Sequence, residues 1–90
     1  KFPLLSIIPL IPDKPSYFET ILITLNDSLV ERYLKNEINY LSINKNLLNF
    51  IKKQHFLKYY KLKPKNIYDI KNMITLTKNY LDINIKHYDK

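Results

Sequence analysis

The chain contains no cysteine, glycine, alanine or tryptophan among its 90 residues. Without cysteine it has no disulfide, thiol catalyst or thiolate metal site. A dinucleotide fingerprint or a phosphate-binding loop needs glycines for close approach of the backbone, so the chain carries neither. Any nucleotide site must therefore lie on another domain or be absent.

Residues for acid–base chemistry are also scarce, because His55 and His87 are the only imidazoles. His55 has no acid within ten positions. His87 lies near Asp82 and Asp89, on a C-terminal tail that we expect to fray. No set of residues has the spacing of a zinc site. We interpret both histidines as solvated or partly packed side chains. We predict no catalytic, cofactor-binding or metal-binding residue in this chain.

Composition indicates one small basic domain. The apolar fraction of 46% and charged fraction of 26% are those of a globular protein. The chain has fourteen lysines against one arginine, and a net charge of +7. An accompanying excess of asparagine and isoleucine is typical of AT-rich codons, which weakens net charge as a functional signal. Because the sequence begins with Lys1, we expect residues 1–90 to be a single domain cut from a longer chain.

Prolines set residues 1–15 apart from the rest. Four of the five prolines lie there, and each removes a backbone donor and disfavours helix before it. We expect an extended apolar strap over 1–15, with an edge strand as the alternative. The apolar run from Phe2 to Pro12 is shorter than the ~20 residues of a spanning helix, so we expect no membrane partner.

The first helix is predicted over residues 16–37. Apolar residues recur there at helical spacing, and Ser16 with Glu19 has the pattern of a capping box. A second box at Ser28 and Glu31, with alternation from Thr20 to Leu25, leaves strand-then-helix as the alternative. The predicted buried stripe is Phe18, Ile21, Leu22, Leu25, Leu29, Tyr33 and Asn36.

Two further helices are predicted over residues 42–60 and 65–85. We expect a turn at Asn39–Leu41 and a cap at Ser42, and Lys63-Pro64 ends the second helix. Asn66 is expected to cap the third helix, with Asp69 at its third position. The predicted face of that helix is Ile67, Ile70, Met73, Ile74, Thr77, Tyr80 and Leu81. The fold class is therefore all-α, a small bundle of three main helices.

Charged residues at helical spacing predict a few surface ion pairs. Glu31 lies four residues before Lys35, and Asp82 is four residues from both Lys78 and Lys86. Such pairs contribute a few tenths of a kcal/mol, on the order of 0.2–0.5 each. They indicate surface pairing and no chemistry.

A basic stretch runs from Lys45 to Lys65, which we call the lysine segment. It contains no acid, and aromatic residues including Phe50 and Phe56 interrupt its lysines. Exposed lysines with nearby rings can bind phosphates and stack bases, so an alternative function is binding of RNA or a ribosome. The competing interpretation is that Phe50 and Phe56 are core residues and the lysines a solvated face. The candidate nucleic-acid residues are Lys45, Lys52, Lys53, Lys58, Lys61, Lys63, Lys65, Tyr59 and Tyr60.

Several short motifs, laid on the chain without gaps, resemble one enzyme family. Phe2-Pro3 matches an aromatic-Pro opening, and Thr20-Ile21-Leu22 a Thr-aliphatic-Leu. Further matches are Asn26-Asp27, Tyr33-Leu34, the triad Ile38, Tyr40 and Ile43, and Lys65-Asn66-Ile67-Tyr68-Asp69-Ile70. In this pattern the chain resembles the C-terminal helical domain of 1-deoxy-D-xylulose 5-phosphate reductoisomerase. Ile23, Thr24 and Leu25 depart from the family's Asn-Ala-Ala, as in a diverged relative.

That resemblance implies a role in non-mevalonate isoprenoid biosynthesis. In this family of NADP-dependent oxidoreductases, the NADPH site and the metal-binding carboxylates belong to the other two domains. A structural or interaction domain, non-catalytic by itself, is therefore expected, and the parent chain is an active reductoisomerase or a degenerate relative. Expected partners are other domains of a parent chain or a homodimer partner. The implied location is a plastid-type organelle such as an apicoplast.

Overall fold

A computed structural model describes residues 15–85, which form a small helical bundle. Within that range there are four α-helices, one 3-10 helix and no strand. The helices are α1 Phe18–Leu34, α2 Tyr40–Ile51, α3 Gln54–Leu57, the 3-10 helix Lys58–Lys61, and α4 Ile67–Asn84. The all-α prediction is therefore confirmed. The predicted strap lies outside the described residues, apart from Pro15.

Helix α1 forms where the periodicity predicts it. Phe18, Ile21, Leu25 and Leu29 are buried at i, i+3 and i+4 spacing. The helix is continuous through residues 20–25, so the strand alternative is wrong. Its start differs from the prediction because α1 begins at Phe18, with Tyr17 at the boundary. Ser16 lies one residue too early for the predicted capping box, although its Oγ accepts the Phe18 N–H at 3.1 Å.

The turn between α1 and α2 comes earlier than predicted. Asn36 has φ 64°, the left-handed conformation that asparagine tolerates better than most residues. Asn39 then caps α2, since its Oδ1 accepts the Ser42 N–H at 3.0 Å. Ser42 was the predicted cap, and this prediction is wrong because Ser42 is buried inside α2. The predicted turn at 39–41 is the cap and first turn of that helix.

The predicted helix over 42–60 is wrong as a continuous element. It breaks after Ile51, where Lys53 is extended at ψ 141°. If α2 continued past this point, Gln54, His55 and Lys58 would lie on the same helix face as the buried Ile51. The extended residue rotates the chain instead, so that Phe56 is buried at 0% exposure. Burial of the aromatic side chain decides the break.

Tyr60 anchors the segment that follows the break. Its ring packs edge-on against Phe18, with centroids 4.9 Å apart. Its hydroxyl donates to the carbonyl oxygen of Ile51 at 2.7 Å, which satisfies an acceptor at the end of α2. Burial raises the pKa of Tyr60. The chain leaves this region through Leu62, whose carbonyl accepts the Tyr17 N–H at 3.0 Å.

Helix α4 begins as predicted. The Asn66 Oδ1 accepts the Asp69 N–H at 3.0 Å, and Asp69 Oδ2 accepts the Lys65 N–H at 2.9 Å. Met73, Thr77 and Leu81 form its buried stripe. Ile67 was predicted on that stripe but is 58% exposed, because it lies in the first turn.

Contacts at both ends show that α1 and α4 run in the same direction. Arg32, near the end of α1, pairs with Asp82 near the end of α4. At the other end, the Tyr17 N–H donates to the carbonyl of Leu62, five residues before α4 begins. Helix α1 packs against both α2 and α4 and so forms the centre of the described bundle.

Candidate functional surfaces

A polar cleft of about 240 Å³ lies near the ends of α1 and α4, and we call it the Arg32 cleft. Residues from α1, the α1–α2 turn and α4 contribute to it. Its lining residues are Ser28, Glu31, Arg32, Lys35, Glu37, Lys78 and Asp82. Three basic groups face three carboxylates, so the cleft carries no net charge.

Arg32 holds this cleft together. Its Nη1 donates to Glu37 Oε1 at 3.2 Å, and its Nη2 donates to Asp82 Oδ1. Asp82 thus pairs with Arg32 and not with Lys78, and the other predicted partner, Lys86, lies outside the described residues. The predicted pair of Glu31 and Lys35 is confirmed, with 3.4 Å between Oε2 and Nζ.

The Arg32 cleft serves packing more directly than chemistry. A guanidinium can hold two carboxylates at once because its donors are arranged as a planar fork. Here that fork joins α1, the following turn and α4. The sequence interpretation missed this cleft because Arg32 and Asp82 are fifty positions apart. The one available signal was that Arg32 is the only arginine in the chain.

The structure places most of the candidate nucleic-acid residues at the surface. Six of the seven lysines in the lysine segment are exposed, and Lys53 is half-buried. Lys45 lies on α2, whereas the others follow the break after Ile51 or lie in the connection to α4. Phe50 and Phe56 are buried at 1% and 0% exposure, as the competing core interpretation expects.

The two candidate tyrosines have different environments. Tyr60 is 5% exposed and faces the core, so its ring is not available to stack on a base. Tyr59 is half-buried, with the Tyr17 ring edge-on at 6.1 Å and the Lys58 ammonium 5.3 Å from its centroid. The lysines therefore form a charged surface, but of the two candidate rings only that of Tyr59 is partly exposed for stacking.

His55 lies in an aromatic cluster between α3 and α4. Its ring stacks on Tyr80 with centroids 4.1 Å apart, and it meets Phe56 and Tyr59 edge-on. Its Nε2 is buried and has no hydrogen-bond partner among the described residues. Partial burial and then the charge of Lys58 lower the pKa of His55. The ring is therefore partly packed against α4.

One end of the bundle exposes large apolar side chains from three helices. The rings of Tyr33 and Tyr40 meet edge-on at 5.8 Å across the α1–α2 turn. The ion pair of Arg32 and Asp82 brings the last turn of α4 to the same end. We call this set the apolar end; its members, 37–81% exposed, are Tyr33, Leu34, Tyr40, Leu41 and Ile83. Such a concentration of apolar surface is typical of an interaction site.

Two negative findings hold for residues 15–85. No group of three or more histidines and carboxylates in this range could hold a metal ion. No helix in this range is long and apolar enough to cross a membrane.

Comparison with known proteins gives one informative match. No family model matches the chain, and no solved structure matches it. A 1-deoxy-D-xylulose 5-phosphate reductoisomerase of Pelagibacter ubique is 34% identical to it over 73 residues. The chain is thus related to part of a reductoisomerase. The match covers 81% of the chain. The same match covers only 19% of the relative, so the chain corresponds to about a fifth of that protein's length.

Proposed function

We propose that the chain serves as the C-terminal helical domain of a reductoisomerase-type protein and is non-catalytic by itself. The identity of 34% over 73 residues carries this proposal. The helical bundle supports it, because the family's C-terminal domain is expected to be helical. In the parent protein, NADPH and the divalent metal would be bound by other domains, and the reaction would belong to isoprenoid biosynthesis.

The contacts of the carboxylates support a structural role. Glu37 and Asp82 both contact the guanidinium of Arg32, and Glu31 contacts Lys35. Of these pairs, that of Arg32 and Asp82 joins α1 to α4, and the other two lie at the end of α1 and in the turn after it. A divalent metal would instead need oxygen ligands directed at a common point.

The apolar end is the surface best suited to contact the rest of such a protein. Leu34 and Leu41 are 72% and 76% exposed beside the ring pair of Tyr33 and Tyr40. Interfaces within a chain resemble those between proteins, where aromatic and apolar residues form the centre. We propose that this end packs against another domain of the parent, with a homodimer partner as the alternative occupant.

The parent would be either a working enzyme or a degenerate relative. Positions 23–25 bear on this choice, because they depart from the Asn-Ala-Ala expected for the family. Leu25 and Thr24 are buried in α1, whereas Ile23 is 59% exposed. The substitution therefore changes both the core and the surface of α1. An organellar location remains a proposal, since the bacterial relative carries no information about organelles.

A chimera tests the proposal. The matching segment of the Pelagibacter ubique reductoisomerase is replaced by this chain, and NADPH oxidation with 1-deoxy-D-xylulose 5-phosphate is measured. We expect a soluble chimera that retains measurable turnover. A matched chimera with Leu34→Glu and Leu41→Glu should lose turnover or solubility, whereas Ile23→Glu, on another exposed apolar residue, should not. A folded but inactive chimera would identify the parent as a degenerate relative, whereas a chimera that does not fold, although the isolated chain does, would contradict the proposal.

The isolated chain provides the second test. If catalysis belongs to other domains, the chain alone should show no turnover and no thermal shift with NADPH and Mg²⁺. A ligand that binds only the folded state raises its stability by about 2.7 kcal/mol at a concentration 100 times Kd. A clear rise in Tm would therefore show that this domain itself holds a cofactor.

A further inference from the structure

Charge is distributed very unevenly over the described residues. The lysine segment carries seven lysines and no acid. The remaining described residues, 15–44 and 66–85, carry four basic side chains against six carboxylates, a net charge of −2. AT-rich codons account for many lysines in a protein, but they do not exclude acids from one segment. The lysine segment is thus strongly basic, whereas the rest of the described molecule is weakly acidic.

The fold concentrates this charge in a short region. The break after Ile51 gathers residues 52–65 into α3, the 3-10 helix and the connection to α4. Phe56 and Tyr60 point into the core and hold this region against α1 and α2. Its lysines are left at the surface, all of them exposed except the half-buried Lys53. At the edge of the region, the carboxylate of Asp69 accepts the Lys65 N–H.

From this geometry we propose that residues 52–65 bind the phosphate backbone of a nucleic acid without regard to sequence. Phosphates supply closely spaced negative charges, and lysines that neutralise them release condensed counterions. Base stacking contributes little, because Tyr60 is buried and Tyr59 is covered by Tyr17 and Lys58. Arginine, which reads base edges through its planar fork, is absent from the region. This function is independent of any role in a reductoisomerase.

A matched pair of double variants tests the proposal. Lys61→Gln with Lys63→Gln removes two exposed charges from the region, whereas Lys35→Gln with Lys78→Gln removes two exposed charges from the Arg32 cleft. Both variants have the same net charge. Circular dichroism checks that each is folded. Fluorescence anisotropy with a uridylate RNA of about 20 nucleotides measures affinity from about 20 to 200 mM salt.

The expected results follow from counterion release. The unmodified chain should bind at the lowest salt and weaken steeply as salt rises. Lys61→Gln/Lys63→Gln should weaken binding by roughly fivefold or more and lower the salt slope by about 1.4, since each phosphate contact on a single strand contributes about 0.7. The Lys35→Gln/Lys78→Gln variant should bind nearly as well as the unmodified chain. A thymidylate DNA of the same length should bind within about threefold of the RNA, because both present the same phosphates.

Three outcomes would overturn the proposal. One is no binding of RNA or DNA at the lowest salt. Another is equal weakening in the two double variants, which would assign binding to net charge rather than to this region. The third is binding to phosphatidylserine vesicles with none to either nucleic acid, which would identify a lipid surface as the partner.

Discussion

The ring of His55 lies face to face with the ring of Tyr80, with their planes only 7° apart. Tyr80 in turn meets Phe50 and Phe56 edge-on at 6.0 and 5.1 Å. Aromatic pairs of this kind contribute about 0.5–1.5 kcal/mol beyond the area they bury. One stack therefore joins the short helix α3 to α4, although the two are separated by the connection through Pro64.

The His55 stack predicts a pH-dependent stability. Burial and Lys58 lower the pKa of His55 in the folded chain, so the unfolded chain takes up this proton first as pH falls. The stabilisation is fully present above the unfolded pKa of about 6.5, and it is lost as pH falls through the lower folded pKa. Urea unfolding between about pH 5 and 7.5 measures this trend.

His55→Phe is the control for that trend. It keeps a ring against Tyr80 and cannot be protonated, whereas His87 is common to both proteins. The free energy of unfolding should therefore fall less with decreasing pH in this variant than in the unmodified chain. Identical pH dependence in the two proteins would show that His55 does not carry the effect.

Burial of Phe56 predicts a large loss of stability on truncation. The residue is 0% exposed and occupies the position that interrupts the second predicted helix. Phe56→Ala should cost about 3–5 kcal/mol, a large share of a small domain's stability. Tyr68→Ala, at a residue 71% exposed, should change it by no more than about 0.5 kcal/mol. Denaturant unfolding monitored by circular dichroism compares them, and similar costs would contradict the assignment of the core.

The Tyr60 hydroxyl predicts a smaller effect. Tyr60→Phe removes the donor to the Ile51 carbonyl at 2.7 Å but leaves the ring against Phe18. The loss should be about 1–2 kcal/mol, because a buried carbonyl is left without a partner. Tyr59→Phe removes a hydroxyl from a half-buried residue and should cost less. Denaturant unfolding compares the two variants. If Tyr60→Phe left the free energy of unfolding unchanged, water would be satisfying the Ile51 carbonyl instead.

The left-handed backbone at Asn36 predicts different results for two small residues. Glycine adopts φ 64° without a steric penalty, so Asn36→Gly should change stability by less than about 0.5 kcal/mol. Asn36→Ala should cost about 1 kcal/mol, since alanine keeps the Cβ that crowds the carbonyl but lacks the short polar side chain that lets asparagine tolerate this conformation. Thermal unfolding of both variants provides the measurement. A more stable alanine variant would contradict the backbone assignment.

Local patterns predicted α1 and α4 because those helices bury one stripe at constant spacing. Leu25 and Leu29 lie one turn apart on the buried stripe of α1. Asn66 caps α4 by accepting a hydrogen bond from the backbone N–H three residues later. Periodicity and caps are short-range, so a single sequence displays them. The same reasoning identified the pair of Glu31 and Lys35.

Long-range contacts account for what the sequence did not predict. The break after Ile51 depends on whether Phe56 reaches a core formed by other helices, and no local signal such as glycine or proline marks it. Tyr60 appears in the sequence as one more ring among lysines, and only its contact with Phe18 makes it a core residue. The contact of Arg32 with Asp82 likewise requires the parallel arrangement of α1 and α4.

The hydrogen bond between Tyr60 and Ile51 has a consequence for how this protein can change over time. It links the two ends of the segment 51–60, so that this segment forms a closed loop on the bundle. Changes of charge at the exposed lysines of that segment would alter what the molecule attracts while leaving Phe56 and the main helices in place. A new activity could thus be acquired or discarded in one exchangeable piece, independently of the bundle inherited with the reductoisomerase relationship.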